Sequence, residues 1–300
     1  MSEVSMHHLV SIPGYKGSFA LLSESSAAHT AVVFVHGFKG DATTTWSQFH
    51  SLIDVYSSEF EWWKATDVYF YKYGSLAKPI AVNAHEFRLF LDLIFPSPEI
   101  IQPVRSAVWN MRYSKLVLVG HSEGAVVIRR ALVESYKLLR ETRLMIPFPN
   151  PENEHDIQLF LQTNPVFAAT LILFAPAYLG FSGAGWIQLL LHFPKISGIF
   201  NAALNFSTAY VELQKDSPVL RQIKDDTTAI AGPYPYLSAF RAHSIFGEDD
   251  RIVYIGEYDN DQAAEIIEHH DHISICKPTP KYKMPIKVVR YADRRKASGG

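Results

Sequence analysis

The sequence predicts an α/β fold built on a mostly parallel sheet, and three observations carry that prediction. Short β-rich runs alternate with segments of helical spacing, the pattern of strand–helix–strand units. Runs such as TAVVFV and TLILF are apolar at almost every position rather than at alternate ones. That suits strands covered on both faces. Finally, several runs end in residues fit for chemistry: His36-Gly37, Ser122, the acids at 248 to 250 and the histidines at 269 to 272. Open parallel sheets carry their sites at the carboxyl ends of their strands.

Taken in order, residues 7 to 22 read as two short strands around Pro13-Gly14, an edge hairpin. Thr30 to Val35 is a β-rich run that stops at His36-Gly37, and Asp67 to Tyr71 (DVYFY) is another, ending near Gly74. Helical spacing from about Ala81 to Phe95 is closed by Pro96 and Pro98. Leu116 to Val119 forms a short buried-type strand, and Ala125 to Leu132 a helix with Arg129 and Arg130 on its outer side. The stretch PFPNPENEH is polar, broken by prolines and reads as a surface loop. Thr170 to Phe174 is a strand stopped by Pro176. Residues 181 to 232 are helical and apolar in places, with GWIQLLLHF and GIFNAALNF on either side of Pro194. They are expected to form a cap inserted over the strand ends of one domain, 1 to 300. Strand character returns at His243 to Phe246, before GEDDRIV, and at Glu265 to Glu268, before HHDHISICKP.

Composition narrows the function classes. A chain of 300 residues, 48% of them hydrophobic, can bury a sizeable core in one large domain. A net charge of −2 offers no basic stripe for nucleic acid. The basic residues near the end (Arg290, Arg294, Arg295, Lys296) read as a solvated tail, and His7-His8 as surface residues. The single cysteine, Cys276, excludes an intramolecular disulfide and is expected in a packed turn. The start, MSEVSMHHLV, lacks the basic-then-apolar pattern of a secretory signal, and no apolar stretch approaches the roughly 20 residues of a membrane span. A soluble, cytoplasmic protein is the expectation.

The chemistry centres on Gly120 to Gly124, the only residues left to turn the chain from strand to helix. So tight a turn forces Ser122 into a strained backbone shape with its hydroxyl projecting outward. A serine hydroxyl needs a base, an orienting acid and donors for a developing oxyanion. The amides of Phe38, in the loop after Val35, and of Glu123, at the helix start, are the candidate donors. For the acid the sequence offers Glu248, Asp249 and Asp250; Asp250 is preferred, with Asp249 in reserve. For the base it offers His269, His270 and His272, among which spacing does not choose. A metal site on the same histidines is disfavoured, because neighbouring strand residues point to opposite faces.

With Ser122, an acid and a histidine in that order, GHSEG after a strand and HG early on, residues 30 to 280 resemble the α/β-hydrolase superfamily. The finer pattern resembles lipase-like serine esterases related to the mitochondrial serine-active-site protein and the inositol deacylase of GPI anchors. Four stretches carry it: VFVHGFKGDATTTW, GHSEGAVV, LQKDSPVLRQI and HHDHISICKP. The resemblance implies Ser122 as nucleophile, Asp250 as the acid of Gly247 to Val253, and His272, four residues before Cys276-Lys277-Pro278, as base. One departure is that Glu123, Gly124 and Ala125 stand where such proteins commonly have leucine and two glycines. The implied activity is hydrolysis of carboxylic esters through an acyl-enzyme, without metal or organic cofactor. Acyl transfer, thioester or amide cleavage, or a binding module that kept only the fold are the alternatives. The apolar stretch GWIQLLLHFPKISGIF suggests a small-molecule or lipid ester as substrate, with peripheral membrane contact, and Trp186, Leu189, Leu190 and Phe193 as acyl contacts.

Overall fold

A computed structural model of the chain describes residues 7–24, 28–38, 40–57, 61–75, 78–102, 111–142, 148–182 and 208–291. Eight strands form one sheet: β1 (His7–Ser11), β2 (Phe19–Ser23), β3 (Thr30–Val35), β4 (Thr66–Tyr71), β5 (Lys115–His121), β6 (Thr170–Phe174), β7 (Ala242–Gly247) and β8 (Glu265–Ile267). Their order across the sheet is β1-β2-β4-β3-β5-β6-β7-β8. The pairs β1–β2 and β2–β4 are antiparallel, and every later pair is parallel.

The period-two geometry of a strand sorts β3 cleanly between two cores. Ala31, Val33 and Val35 pack on one face with Ala84, Phe87 and Leu91 of α3 (Ile80–Ile94) and Val127, Ile128 and Ala131 of α4 (Glu123–Thr142). Val32 and Phe34 face the other way, onto Trp46, Phe49 and Trp63 and onto Ile286 and Val289 near the chain's end. Helices therefore cover both faces, which is why the central strands read as unbroken apolar runs. Phe49 opens α1 (Phe49–Ser57), Trp63 lies in α2 (Glu61–Lys64), and two further helices follow, α5 (Glu154–Thr163) after α4 and α6 (Thr208–Glu212) later. After Pro218 at its first turn, α7 (Pro218–Ala231) packs against α4; its cap, Ser217, accepts from the Leu220 amide at 3.2 Å. The last helix is α8 (Met284–Tyr291).

Three expectations need correction. Arg129 does not face outward: its guanidinium is fully buried against Asp261, because α4 continues the chain from beneath the sheet's end and its first seven residues are all buried. His7 is buried too, its Nε2 lying 3.1 Å from the Trp63 carbonyl and 3.2 Å from that of Thr66, whereas His8 is exposed. Arg290 belongs to α8 rather than to a solvated tail. The helix read over 125 to 132 is longer at both ends, starting directly after Ser122. The loop read over PFPNPENEH lasts to Asn153, which caps α5 by accepting from the Asp156 amide at 3.2 Å. Of the stretch read as a cap, residues 183–207 lie outside those described, and with them Trp186, Leu189, Leu190 and Phe193. Among the described residues, no helix is long and apolar enough to cross a membrane.

Candidate active site

Ser122 closes β5 at φ +54°, a left-handed conformation that costs a non-glycine residue energy. Backbone bonds hold it there. Its amide donates to the Phe174 carbonyl at 3.0 Å, and its carbonyl accepts from the Ala125 and Ala177 amides at 3.2 Å each. Two glycines permit the crowding around it. A Cβ on Gly124 would lie 2.4 Å from the carbonyl oxygens of both Val35 and His36, so α4 can start this close to β3 only with glycine there. A Cβ on Gly37 would lie 2.7 Å from the Ser122 Cβ, so the loop after β3 reaches the serine only because Gly37 has none.

The other two side chains arrive from the ends of β7 and β8. The turn after β7 buries Asp250 and leaves Glu248 and Asp249 exposed. Asp250 Oδ1 accepts from the amides of Ile252 at 2.9 Å and Val253 at 3.2 Å, which leaves Oδ2 to face His272 Nδ1 at 2.9 Å. The opposite ring nitrogen, Nε2, lies 3.0 Å from Ser122 Oγ. Both His272 and Ser122 are about 1% exposed. The three histidines of the cluster part company. His269 is exposed at φ +59°, and His270 stacks on Tyr282 with ring centroids 3.8 Å apart. Only His272 turns toward the serine.

Two more histidines, without an assigned role in the sequence reading, hold this arrangement. His36 stacks on Tyr73 with centroids 4.4 Å apart, and its Nδ1 donates to the Gly37 carbonyl at 2.8 Å. Its Nε2 accepts from the Tyr73 amide at 3.2 Å, while the Tyr73 hydroxyl donates to the His36 carbonyl at 2.9 Å. Burial pushes the His36 imidazole down to about 4, so it is neutral and serves as a strut for the loop carrying Gly37 and Phe38. His121 Nε2 lies 2.8 Å from the His272 carbonyl and donates to it, fixing the backbone of that residue. Burial, then the nearby His272, push His121 well below the ordinary histidine range. The only sequence signal for either role was a histidine at the end of an apolar strand.

Glu123 is the first residue of α4, and its carboxyl is fully buried, with neither oxygen hydrogen-bonded. Burial, and then repulsion from Glu212, raise its pKa well above the carboxylate range, which favours the protonated, uncharged form of the side chain. Its amide points from a helix start, where backbone donors lack internal acceptors. Phe38 is buried on the facing loop, its ring 6.4 Å from that of Phe181. Cys276 is fully buried, its Sγ 3.4 Å from the Thr45 carbonyl, and burial pushes the thiol up to about 12, which makes it inert packing.

Beside Ser122 opens a cavity of about 260 Å³, lined by Gly37, Phe38, Thr44, Thr45, His121, His272, Ile273 and Lys277. Among the described residues no three His, Cys, Asp or Glu side chains gather to hold a metal.

No protein-family model matches the chain, and no curated protein matches it in sequence. Solved structures do. Phospholipase PlaB from Legionella pneumophila, in complex with thio-NAD, aligns with a TM-score of 0.52 at 13% identity over 88% of this chain. This chain spans 58% of the length of that phospholipase. The peroxisomal alpha-beta-hydrolase Lpx1 of Saccharomyces cerevisiae aligns at a TM-score of 0.45 and 11% identity, over 97% of this chain and 87% of its own. Est1E from Butyrivibrio proteoclasticus gives 0.44 and 12%, over 98% and 100%. Likeness at such identities speaks to architecture alone. Joined to the strand order, the two antiparallel pairs at one edge and the helices on both faces, it supports one conclusion: the chain has the α/β-hydrolase fold.

Proposed function

We propose that this protein is a serine carboxylester hydrolase working through an acyl-enzyme. One observation carries the reading: a buried line of three side chains, with Ser122 Oγ 3.0 Å from His272 Nε2 and His272 Nδ1 2.9 Å from Asp250 Oδ2. His272 takes the proton of Ser122 as its oxygen attacks an ester carbonyl. Asp250, held by two backbone amides, keeps the Nδ1–H tautomer and stabilises the imidazolium. The amides of Phe38 and Glu123 receive the oxyanion, each such donor being worth about 3 kcal/mol in comparable sites. His272 then protonates the departing alcohol, and a water molecule repeats the sequence on the acyl-enzyme. The upward shift of the Glu123 carboxyl supports the reading, since the uncharged form it favours does not repel the oxyanion as a carboxylate would.

The motifs in common with lipase-like serine esterases keep lipid esters among the substrates, as does a phospholipase among the structures of the same fold. The stretch 181 to 232 is the proposed cap, with Trp186, Leu189, Leu190 and Phe193 as acyl contacts. The direct test is labelling with a fluorophosphonate. The folded protein should carry one adduct on Ser122 and cleave p-nitrophenyl esters, and Ser122→Ala should lose both while melting at an unchanged temperature. Full turnover in that variant would sink the reading.

A further inference from the structure

Among the described residues, Lys277 is the cation in the wall of the cavity beside Ser122. The turn that carries it is fixed on both sides. Cys276 and Pro278 are buried, and the Lys277 amide donates to the Ser274 carbonyl at 3.0 Å. The side chain is half-buried, and no carboxylate comes within ion-pairing distance of its ammonium among the described residues. Two acids lie on the adjoining loops, and each is engaged at home. Asp41 accepts from the amides and hydroxyls of Thr43 and Thr44 at 2.6 to 3.0 Å, and Asp271 from the amides of Ile273 and Ser274 at 3.0 and 2.7 Å. An ammonium at the wall of a largely apolar cavity, with no ion pair among the described residues, is a ready partner for an anion. The charge is felt at His121, where it adds to the burial that keeps that ring neutral.

The position of Lys277 also says which half of an ester it would meet. A leaving alcohol must reach His272 Nε2 to be protonated, and the loop that carries His272 also supplies Ile273 and Lys277 to the cavity lining. From this we infer that the substrate is an ester whose alcohol portion carries an anionic group, a phosphate or carboxylate, which Lys277 binds. This inference rests on the serine-hydrolase reading and adds the substrate class to it. An anion there forms a charge-assisted hydrogen bond and supplies the missing counter-charge.

The experiment compares 2-nitrophenyl butyrate with 3-butyryloxy-4-nitrobenzoate, the same leaving group bearing a carboxylate, on the wild type, Lys277→Met and Lys277→Glu. The wild type should favour the anionic ester by about tenfold or more in kcat/KM. Lys277→Met should bring that ratio to about one, and Lys277→Glu should invert it. A wild-type ratio near one, or a preference that survives Lys277→Met, overturns the inference while fluorophosphonate labelling of Ser122 leaves the hydrolase reading intact. Absence of both labelling and turnover overturns the two together. A second pair, lysophosphatidate against monoacylglycerol, in micelles and below the micellar concentration, separates a lipid headgroup from a soluble phosphate ester as the anion's source. A preference for the phosphate in either setting supports the inference, and in neither opposes it.

Discussion

Glu123 shows how burial can convert an awkward residue into a harmless one. Next to a nucleophile, a carboxylate would oppose the charge that builds on the substrate oxygen; a protonated carboxyl does not. The price is paid in stability as a function of pH. The unfolded chain releases this proton near 4.5, while the folded chain keeps it to a much higher pH. Above 4.5 the folded state therefore binds more protons than the unfolded one, and stability falls as pH rises, by about 1.4 kcal/mol per unit until the folded pKa is reached. Glu123→Gln removes that slope. Melting curves from pH 5 to 8 should show the wild type losing stability relative to the variant, and parallel curves would mean that the folded carboxyl is charged. Asp250 calls for a different probe. Asp250→Asn keeps the shape but spoils the tautomer, because an amide can present its N–H to Nδ1. A fall of about 10⁴ in kcat with little change in KM is the outcome expected from comparable triads. A loss smaller than tenfold would mean that His272 is oriented by other means.

The helix that follows the nucleophile is tied down by an ion pair. Arg129, in the second turn of α4, donates through Nη2 to both oxygens of Asp261, through Nε to the Tyr178 hydroxyl at 3.0 Å and through Nη1 to the Phe240 carbonyl at 3.2 Å. The rings of Tyr178 and Tyr258 flank it, each centroid 4.9 Å from the guanidinium carbon. Asp261 also accepts from the Ala242 amide, at 2.7 Å, where β7 begins. Both charged side chains are wholly buried, so removing one strands the other. Asp261→Asn or Arg129→Met should cost about 3–5 kcal/mol in urea unfolding. The double variant Arg129→Met/Asp261→Leu should be less damaging than the sum of the two, and strict additivity would show that the charges do not interact. This pair also marks where the sequence ceases to be legible. Arg129 sits among apolar neighbours, and nothing local reveals a partner 132 positions away. The central strands were legible because burial on both faces leaves unbroken apolar runs, and the serine turn because five residues must reverse direction between two such elements. Which of three histidines meets the serine was not legible from spacing: it depends on the positive φ of His269 and on the stacking of His270 on Tyr282, both set by the surrounding fold. Helices α1, α2, α5 and α8 are not among the elements legible in the sequence, and α2 in particular is too short for a periodic signal.

Across the whole molecule, the three side chains of the candidate site rest on parts of unequal strength. Ser122 hangs from β5, in the middle of the sheet, with β3 and β6 paired on either side and helices over both faces. His272 follows β8, an edge strand of three residues, none of them buried. The acid and base loops are bound to each other, since the Glu248 amide donates to the Ile267 carbonyl at 2.9 Å and the Asp249 amide to that of His270 at 3.0 Å. Asp250 and His272 should therefore come away as one unit, while Ser122 stays with the core. Local openings of that kind cost less free energy than global unfolding and are drawn from the elements with least burial. In rising urea, ester hydrolysis should disappear before far-UV circular dichroism changes, and amide exchange should be fastest in β8 and in β1, the other edge, and slowest in β3 and β5. A disulfide between β7 and β8 that brought the two urea midpoints together would locate the weak point at that edge. Coincident midpoints in the unmodified protein would mean instead that this edge unfolds only with the rest of the sheet.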